Sequence, residues 1–374
     1  MQQAVIAGYV RTPFHFARKG ALAGVRPDDL AATAIRALIQ RTGVDPATLE
    51  DVILGCSFPE GAQGDNVARI ASLLAGLPVE VSGMTVNRFC GSSMSAIHIA
   101  IGQIAIGAGD AFVAGGVESM SQVPPGGLSS SPNPMLMQAY VSMGETAENV
   151  AAQHRVTRAE QEALAFASQQ KAGAAQAAGR LRAEIAGVMT DDGLIDTDGC
   201  LRPETTLEGL AGLKPAFRPE GTVTAGTSSP LTDGASATLI TSAAYAAAHG
   251  LEPLALVRAV ATAGCPPEIM GMGPVPATRK ALARAGLTID DIDIVEINEA
   301  FGSQAVACIR ELNIPLEKVN LDGGGLAIGH PLGATGARIT GKAAQILKRE
   351  GKRFALSTQC IGGGQGIATI LEAA

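Results

Sequence analysis

The sequence predicts an α/β fold, and three observations carry that prediction. Apolar residues make up 47% of the sequence and charged residues 17%, which excludes a disordered chain. The length of 374 residues predicts two or three domains. Only 3% of the residues are aromatic while 46 are glycine, so we expect an aliphatic core and a backbone that turns tightly at many points. The third observation is an internal repeat of helix and strand patterns.

The repeat appears when residues 34–55 are aligned with residues 277–298. Five of the 22 positions are identical, and each copy shows the pattern of an amphipathic helix, a glycine stop, an acidic turn and a hydrophobic strand. A second match places Val86 and Asn87, before CGSS, opposite Val319 and Asn320, before GGG. Either match alone could arise by chance, but two in the same order favour duplication of a βαβ-rich half. Functional residues are then expected at strand ends and helix starts.

Charge and cysteine spacing exclude several classes of protein. The formal net charge is −7 and the 28 lysines and arginines are scattered, which argues against a nucleic-acid partner. The six cysteines are far apart and form no CxxC pair, so we expect neither a metal site nor a disulfide framework. The first residues show no signal-peptide pattern and the last three are no peroxisomal tripeptide, so a cytoplasmic protein is the expectation.

One segment imitates a membrane span, because residues 89–109 carry no formal charge. Its polar residues and four glycines make it too polar at one end for hydrocarbon, so we predict no transmembrane segment. The alternative is a helix buried on all sides within a layered domain, with Cys90 at its start.

An uncharged segment with four prolines and four methionines, residues 119–144, lies between the two copies of the repeat. Long loops of this kind are either functional or disordered, and methionine suits a cover that adapts to apolar shapes. An ordinary surface loop is the alternative. Residues 145–178 then show an alanine- and glutamine-rich helical pattern.

Two segments place a cysteine beside glycine. In VNRFCGSS, Cys90 follows a strand-like run and precedes a helix, whose dipole would acidify the thiol and make it a nucleophile. In STQCIGGGQG, Cys360 precedes three glycines whose backbone amides could approach a ligand. The alternatives are a buried structural cysteine and a glycine-rich turn with an incidental one.

Two further segments carry a histidine and an amide. His330 lies in GGGLAIGHPLGATGARI, in a glycine-rich bend before a helix, and could act as a general base or simply pack. In EINEAFGSQ, Asn298 could hold a water or a carbonyl group, and Glu299 could be an ordinary first-turn acid of a helix.

Together these motifs resemble the thiolase family over nearly the whole chain. The matching stretches, in family order, are VNRFCGSS, GGVESMS, MGETAENVA, LKPAF, GTVTAG, NEAF, GHPLGATGAR and CIGGGQG. The resemblance implies a five-layered αβαβα fold of two duplicated halves, residues 1–247 and 252–374, with a loop domain inserted in the first half at about 119–230.

The resemblance also implies a role for each site residue. Cys90 would be the acylated nucleophile, His330 the group that activates it, Cys360 the acid/base cysteine and Asn298 a water-holding amide. The backbone N–H groups of Cys90 and Gly362 would stabilise the oxyanion. The substrate- and CoA-binding positions would be Arg202, near the CoA nucleotide; Ser229, near the pantetheine; and Met143, in the MGETAE motif.

The implied reaction is the CoA-dependent cleavage of a 3-ketoacyl-CoA into acetyl-CoA and a shortened acyl-CoA, with coenzyme A as co-substrate and no metal or bound cofactor. Ser142 stands where acetoacetyl-CoA-specific members carry a histidine, which favours the degradative branch of fatty-acid β-oxidation. The alternative within the family is an acetoacetyl-CoA thiolase, and from other classes a ketosynthase-like decarboxylating enzyme or a non-catalytic acyl-CoA carrier. The family leads us to expect a homodimer or homotetramer, with a β-oxidation hydratase/dehydrogenase subunit as one further partner.

Overall fold

The computed structural model describes residues 2–123 and 131–374. The first half of the fold begins with β1 (Ala4–Arg11), β2 (His15–Phe16), α1 (Pro27–Thr42), β3 (Asp51–Gly55), α2 (Val67–Leu74), β4 (Ser82–Val86), α3 (Ser92–Ile106) and β5 (Ala111–Ser119). An insertion follows, with α4 (Met143–Gln153), α5 (Arg158–Ala177), β6 (Val188–Thr190), β7 (Gly193–Ile195) and α6 (Leu207–Ala211). The first half closes with β8 (Thr232–Ser242) and α7 (Ala243–Ala248).

The second half repeats much of this order in a shorter chain. Its elements are β9 (Ala255–Gly264), α8 (Pro274–Ala285), β10 (Ile294–Ile297), α9 (Gly302–Glu311), α10 (Gly325–Ile328), α11 (Leu332–Glu350), β11 (Phe354–Ile361) and β12 (Gln365–Glu372). Short 3₁₀ turns join several of them, and the turns at Pro46–Thr48 and Ile289–Asp291 occupy matching positions in the two halves.

One large mixed sheet runs through both halves, in the order β4-β3-β5-β8-β1-β9-β12-β11-β10, with β2 paired to β8. The antiparallel pairing of β1 with β9 joins the two halves. On one side of this junction the order β3-β5-β8-β1 corresponds to β10-β11-β12-β9 on the other, and β3·β5 and β10·β11 are both parallel pairs. A bridge between Val295 and Val319 stands where β4 pairs with β3 in the first half.

The helix ends show why the repeat was visible in the sequence. Both α1 and α8 have proline at their first position, and both end at a left-handed glycine, Gly43 (φ 69°) and Gly286 (φ 68°). A left-handed backbone terminates a helix at low cost only where the residue lacks a β-carbon. The same stop signal at the same point of each copy therefore ends two equivalent helices.

The layers follow from which helices pack on which face of the sheet. Helices α3 and α11 pack against each other, and α11 contacts β5 and β8 of the first half as well as β10 and β11 of the second. Helix α1 packs on β8 and β1, and α8 packs on β9 and β12, to form the outer layers. The two halves of the sheet thus form two layers, with α3 and α11 between them and α1 and α8 outside. This order of helix, sheet, helix, sheet and helix matches the predicted five layers. The limits of the two halves as separate domains stay a prediction.

Helix α3 is less enclosed than expected. Residues Phe89–Ile106 are long and apolar enough, by length and composition, to cross a bilayer, and half of this segment is buried within the protein. The buried stripe of Ile97, Ala100 and Ile104 faces the sheet, whereas Ile106 is 82% exposed. The prediction of burial on all sides was therefore wrong for the second half of the helix, because only one face of it contacts the strands.

The insertion connects two neighbouring strands. Strands β5 and β8 pair antiparallel from Ala111↔Thr241 to Ser119↔Asp233, so the chain leaves at the end of β5 and returns directly beside it. The predicted methionine-bearing cover lies at the start of this insertion, and its residues 124–130 lie outside the described part of the chain. In the described remainder, Met120 is buried and Met135 is 85% exposed. The helical pattern predicted for 145–178 corresponds to α4 and α5.

Candidate active site

Cys90 lies in a strained turn between β4 and α3. Phe89 has a left-handed backbone (φ 45°), which is costly for a residue with a large side chain. The Ser92 hydroxyl holds this turn, because it accepts the Arg88 N–H (2.8 Å) and donates to the Phe89 carbonyl (2.6 Å). A β-carbon on Gly91 would lie 2.4 Å from the Ile361 side chain, so glycine allows the start of α3 to approach the end of β11.

The Cys90 thiol is not acidified, contrary to the expectation from its place at a helix start. Withdrawal from water raises its pKa from 9.0 to about 12, and the backbone N–H groups of Gly362 and of Cys90 itself, which point to the sulfur, offset only part of this. The buried carboxylate of Glu118 raises the pKa further. Without substrate, the residue is therefore a thiol rather than a thiolate at neutral pH.

His330 is buried, and its hydrogen bonds define which ring nitrogen carries the proton. Its Nδ1 lies 2.6 Å from the Thr335 hydroxyl, which lies 2.9 Å from the Pro331 carbonyl. A carbonyl can only accept, so the hydroxyl gives its one proton to Pro331 and accepts the Nδ1–H of His330. Burial, and to a lesser extent Arg338, lowers the pKa of His330 to about 3. The ring is therefore neutral, with an unprotonated Nε2 that can act as a base.

Asn298 lies directly after β10 and faces the histidine. Its side-chain N–H group is 3.3 Å from Nε2 of His330, slightly long for a hydrogen bond, and its backbone N–H donates to Thr358 (3.0 Å). The side-chain oxygen Oδ1 is buried and has no hydrogen-bond partner among the described residues. A buried acceptor of this kind is costly unless a donor occupies the site, so it is suited to a water molecule or a donor group of a ligand.

Cys360 is the penultimate residue of β11 and is 1% exposed. Burial raises its pKa well above the ordinary value, and the nearby Cys90 thiol raises it further. The preceding residue, Gln359, donates its side-chain amide to the Cys90 carbonyl and so connects the two cysteine segments. A β-carbon on Gly362 would lie 3.7 Å from the Met143 sulfur, which places that methionine beside Gly362, whose N–H points to the Cys90 sulfur.

Glu118, near the end of β5, holds the segments around the site together. Its carboxylate accepts the backbone N–H groups of Ser57 (2.8 Å), Phe58 (3.3 Å) and Gly333 (2.9 Å) and the side-chain amide of Gln63 (2.7 Å). Gly333 lies in the first turn of α11, three residues after His330. The carboxylate therefore connects the histidine segment to the end of β3.

Arg202 and Ser229 lie in the insertion between β5 and β8. Arg202 lines a cavity of about 40 Å³ together with Phe16 and Leu326, the latter in the short helix that leads to His330. The guanidinium group of Arg202 stands over the Phe16 ring, 4.9 Å from its centre. The Ser229 N–H donates to the Ala300 carbonyl (2.9 Å), which ties this loop to the segment that follows Asn298.

The structure brings Cys90, Cys360, Gly362 and Met143 together and links them to His330 through Asn298, which bonds to Thr358, two residues before Cys360. Arg202 lines the cavity beside Phe16, and Ser229 bonds to Ala300, two residues after Asn298. Three residues with contacts in the site were missed: Glu118, Thr335 and Gln359. A lone carboxylate within the apolar strand pattern of AFVAGGVES was a usable signal for Glu118. Thr335 lies four residues after Pro331, the spacing at which a helical hydroxyl reaches a carbonyl. The sequence contained no comparable signal for Gln359.

Comparison with known proteins identifies the family. The sequence profile of the thiolase N-terminal domain matches residues 4–244, and that of the thiolase C-terminal domain matches residues 251–373. The chain belongs to the thiolase family. The predicted family and the predicted thiolase-like α/β fold are confirmed, whereas the roles of the site residues stay predictions.

Named relatives align with this thiolase from end to end. It is 48% identical over 385 residues to a 3-ketoacyl-CoA thiolase of Shewanella frigidimarina and 45% identical over 389 residues to one of Bacillus subtilis. It is also 47% identical over 403 residues to a β-ketoadipyl-CoA thiolase of Escherichia coli. In each case all of both chains is covered.

Proposed function

We propose that this thiolase is an acetyl-CoA C-acyltransferase that cleaves 3-ketoacyl-CoA with coenzyme A, through an acyl-cysteine intermediate. One observation carries the proposal: the Gln359 amide links the Cys90 and Cys360 segments, and Asn298, which bonds to Thr358 in the strand of Cys360, faces a neutral histidine whose Nε2 is unprotonated. The backbone amides of Cys90 and Gly362 converge on the same sulfur. The names of the relatives agree with this reaction.

In the first half of the reaction, His330 takes the Cys90 proton at Nε2 as the sulfur attacks the C3 carbonyl carbon of the substrate. Thiol and imidazole are both neutral beforehand, so we expect proton transfer to accompany attack rather than precede it. The developing oxyanion accepts hydrogen bonds from preorganised donors. The C2–C3 bond then breaks, its electron pair remains on C2, and the Cys360 thiol protonates C2 to release acetyl-CoA.

In the second half of the reaction, coenzyme A takes the acyl group from Cys90. The Cys360 thiolate removes the proton of the CoA thiol, whose sulfur attacks the acyl carbon. The C–S bond to Cys90 breaks, and the Cys90 sulfur recovers its proton from His330. Both cysteines and the histidine return to their starting protonation states. We propose that the cycle needs no metal or bound redox cofactor, since each bond change is served by a side chain, an amide or CoA itself.

We propose that the enzyme accepts acyl chains longer than acetoacetyl. Ser142 and Met143 support this, because Met143 presents an adaptable apolar side chain beside Gly362. Acetoacetyl-CoA thiolase activity is the alternative within the family. The relative named β-ketoadipyl-CoA thiolase makes a chain with a terminal carboxylate a further substrate to include in the test. A decarboxylating ketosynthase would leave Cys360 without a role, so we do not favour it.

The test is CoA-dependent loss of 3-ketoacyl-CoA over a series of chain lengths, with Cys90→Ser as control. We expect cleavage of medium chains, no turnover by the variant, and a covalent acyl group on Cys90 in the mass spectrum of protein quenched before CoA is added. Cleavage of acetoacetyl-CoA alone would overturn the broad-chain proposal. Failure to cleave any 3-ketoacyl-CoA would overturn the function itself.

We also propose, on family grounds, a cytoplasmic homodimer or homotetramer, with a hydratase/dehydrogenase subunit as one further partner. Two exposed apolar surfaces would suit association. One is on α2 and contains Leu73 and Leu74, and the other is the 3₁₀ turn Pro134–Tyr140. Light scattering of the purified chain tests the oligomeric state.

A further inference from the structure

Residues Phe16–Gly20 form a tight turn next to the cavity that contains Arg202. The Gly20 N–H donates to the Phe16 carbonyl (2.8 Å), and the Ala21 N–H donates to Nδ1 of His15 (3.3 Å). A β-carbon on Gly20 would lie 2.5 Å from the Phe16 carbonyl oxygen, so the turn depends on glycine. The chain therefore folds back over Phe16 in a fixed conformation.

This turn places a second cation on the ring that already carries Arg202. The Lys19 ammonium stands 4.7 Å from the centre of the Phe16 ring, and the Arg202 guanidinium stands 4.9 Å from it. Both distances are within the range of a cation–π contact. In the described part of the chain, the charged group of neither residue forms an ion pair or a hydrogen bond. Two free positive charges thus share one aromatic ring at the edge of the cavity.

We infer that Lys19, held on Phe16 beside Arg202, binds the phosphates of the nucleotide end of coenzyme A and so distinguishes CoA from thioesters that lack the nucleotide. This inference rests on the proposed function, which makes CoA and acyl-CoA the ligands of the protein, and on the predicted position of Arg202 near the CoA nucleotide. The pantetheine arm is uncharged, whereas the nucleotide carries the anionic phosphates. Lysine binds phosphate as a point charge, and arginine binds it with a planar fork.

The charge of the whole chain makes such a device useful. At a formal net charge of −7, the protein as a whole repels an anionic substrate. Local positive charge at the cavity edge offsets that repulsion where the substrate must enter. The contribution of Lys19 should therefore appear in binding and KM, should weaken with added salt, and should leave the bond-making steps at Cys90 unchanged.

The test compares Lys19→Gln with Arg18→Gln. Arg18 is the adjacent exposed cation, and its side chain makes no ring contact in the described residues. Calorimetry gives the Kd of each protein for CoA and for pantetheine, and kinetics give KM and kcat for acetoacetyl-CoA and acetoacetyl-pantetheine. We expect Lys19→Gln to raise the Kd for CoA and the KM for acetoacetyl-CoA about fivefold, and to leave kcat and the Kd for pantetheine unchanged. We expect Arg18→Gln to change the Kd for CoA and the KM for acetoacetyl-CoA by less than about twofold.

A second variant, Phe16→Leu, tests whether the ring organises the two cations. We expect it to weaken CoA binding by a similar factor, and the Phe16→Leu/Lys19→Gln double variant to be little worse than either single one, because the residues act as a unit. The inference would be overturned if Lys19→Gln lost no affinity for CoA, or lost as much affinity for pantetheine as for CoA. It would also be overturned if Arg18→Gln lost as much affinity for CoA as Lys19→Gln. Absence of turnover with intact, Lys19-dependent CoA binding would instead count against the proposed function alone.

Discussion

The two halves of this thiolase share one order of elements but are used differently. Each half has a central helix, α3 or α11, that begins close to the site, and Cys90 precedes one while His330 precedes the other. The second half also supplies Asn298 and Cys360. The penultimate residue of β5, by contrast, is Glu118, whose carboxylate is occupied by backbone and amide donors.

The difference shows how duplication can separate chemistry from support. In the second half, the buried side-chain oxygens of Asn298 and Gln359 have no partner within residues 2–123 and 131–374, so polar groups remain available at the site. In the first half, the buried carboxylate of Glu118, near the end of β5, instead bonds to the segments that contain Ser57 and Gly333. We therefore expect substitutions on the C-terminal side to affect rate more than stability, and those at Glu118 to affect stability more than rate.

The largest expected effect is on rate, at His330, the proposed base, and at its hydroxyl partner Thr335. His330→Ala should lower kcat by about 10²- to 10⁴-fold, as expected when a general base is removed. Thr335→Val should lower kcat about tenfold and change the pH profile, because nothing then fixes the proton on Nδ1. Steady-state kinetics across pH check this, with circular dichroism to verify folding. An unchanged profile in Thr335→Val would contradict the assigned tautomer.

On the supporting side, Glu118→Ala should lower the free energy of unfolding by about 3 kcal/mol or more. Loss of the carboxylate leaves the buried N–H groups of Ser57 and Gly333 unpaired, at about 1–3 kcal/mol each. Urea denaturation measures the change, and the exposed Glu60→Ala serves as the matched control, expected within about 0.5 kcal/mol of wild type. If Glu118→Ala were stable but inactive, Glu118 would act in the reaction rather than in stability, contrary to this prediction.

Cys90, the proposed nucleophile, should behave as a half-buried thiol with a raised pKa in the free enzyme. Because its pKa is raised to about 12, the thiolate fraction of Cys90 should increase about tenfold per pH unit between pH 7 and pH 9. The rate of inactivation by iodoacetamide, measured in Cys360→Ala to isolate Cys90, should increase in parallel without a plateau. Cys90→Ser provides the background rate. A plateau below pH 8 would show that a thiolate–imidazolium pair forms without substrate.

The smallest expected effect is on stability, at His98 in α3, the helix that begins after Cys90 in the first half. Burial, together with Arg88 and Arg284, lowers its pKa from 6.5 to about 3. The unfolded chain therefore binds a proton below pH 6.5 that the folded chain binds only near pH 3, so stability falls as pH decreases through that interval. Between pH 7 and pH 5, the free energy of unfolding of His98→Gln should decrease by about 1 kcal/mol less than that of the wild type, as measured by urea denaturation. Equal losses in both proteins would contradict it.

Much of the fold could be predicted, since the repeat rests on local signals. Glycine stops, acidic turns and apolar strands occur at the same spacing in both copies, and residues 34–55 and 277–298 do fold alike. The position of Cys90 at a helix start was also predictable. Its pKa was not, because that depends on how much water surrounding strands exclude and on a carboxylate 28 positions later in the chain.

The contacts that organise the site were hidden for a related reason. Gln359 bonds to a residue 269 positions away, and Glu118 to one 215 positions away, so no local pattern marks either pair. The cation cluster on Phe16 likewise joins a turn near the start of the chain to the insertion. Such pairings arise from tertiary packing, which residue type and spacing do not determine.

The insertion between β5 and β8 has a consequence for how this enzyme could change. In the second half the corresponding strands, β11 and β12, are joined by residues 362–364 alone, whereas residues 120–231 span the same gap in the first. Closing a longer loop costs only a slowly growing entropy, so the sheet tolerates a whole accessory lobe at a hairpin position. Evolution, or a protein engineer, could exchange that lobe to alter which thioesters are admitted while the bond-breaking apparatus stays as it is.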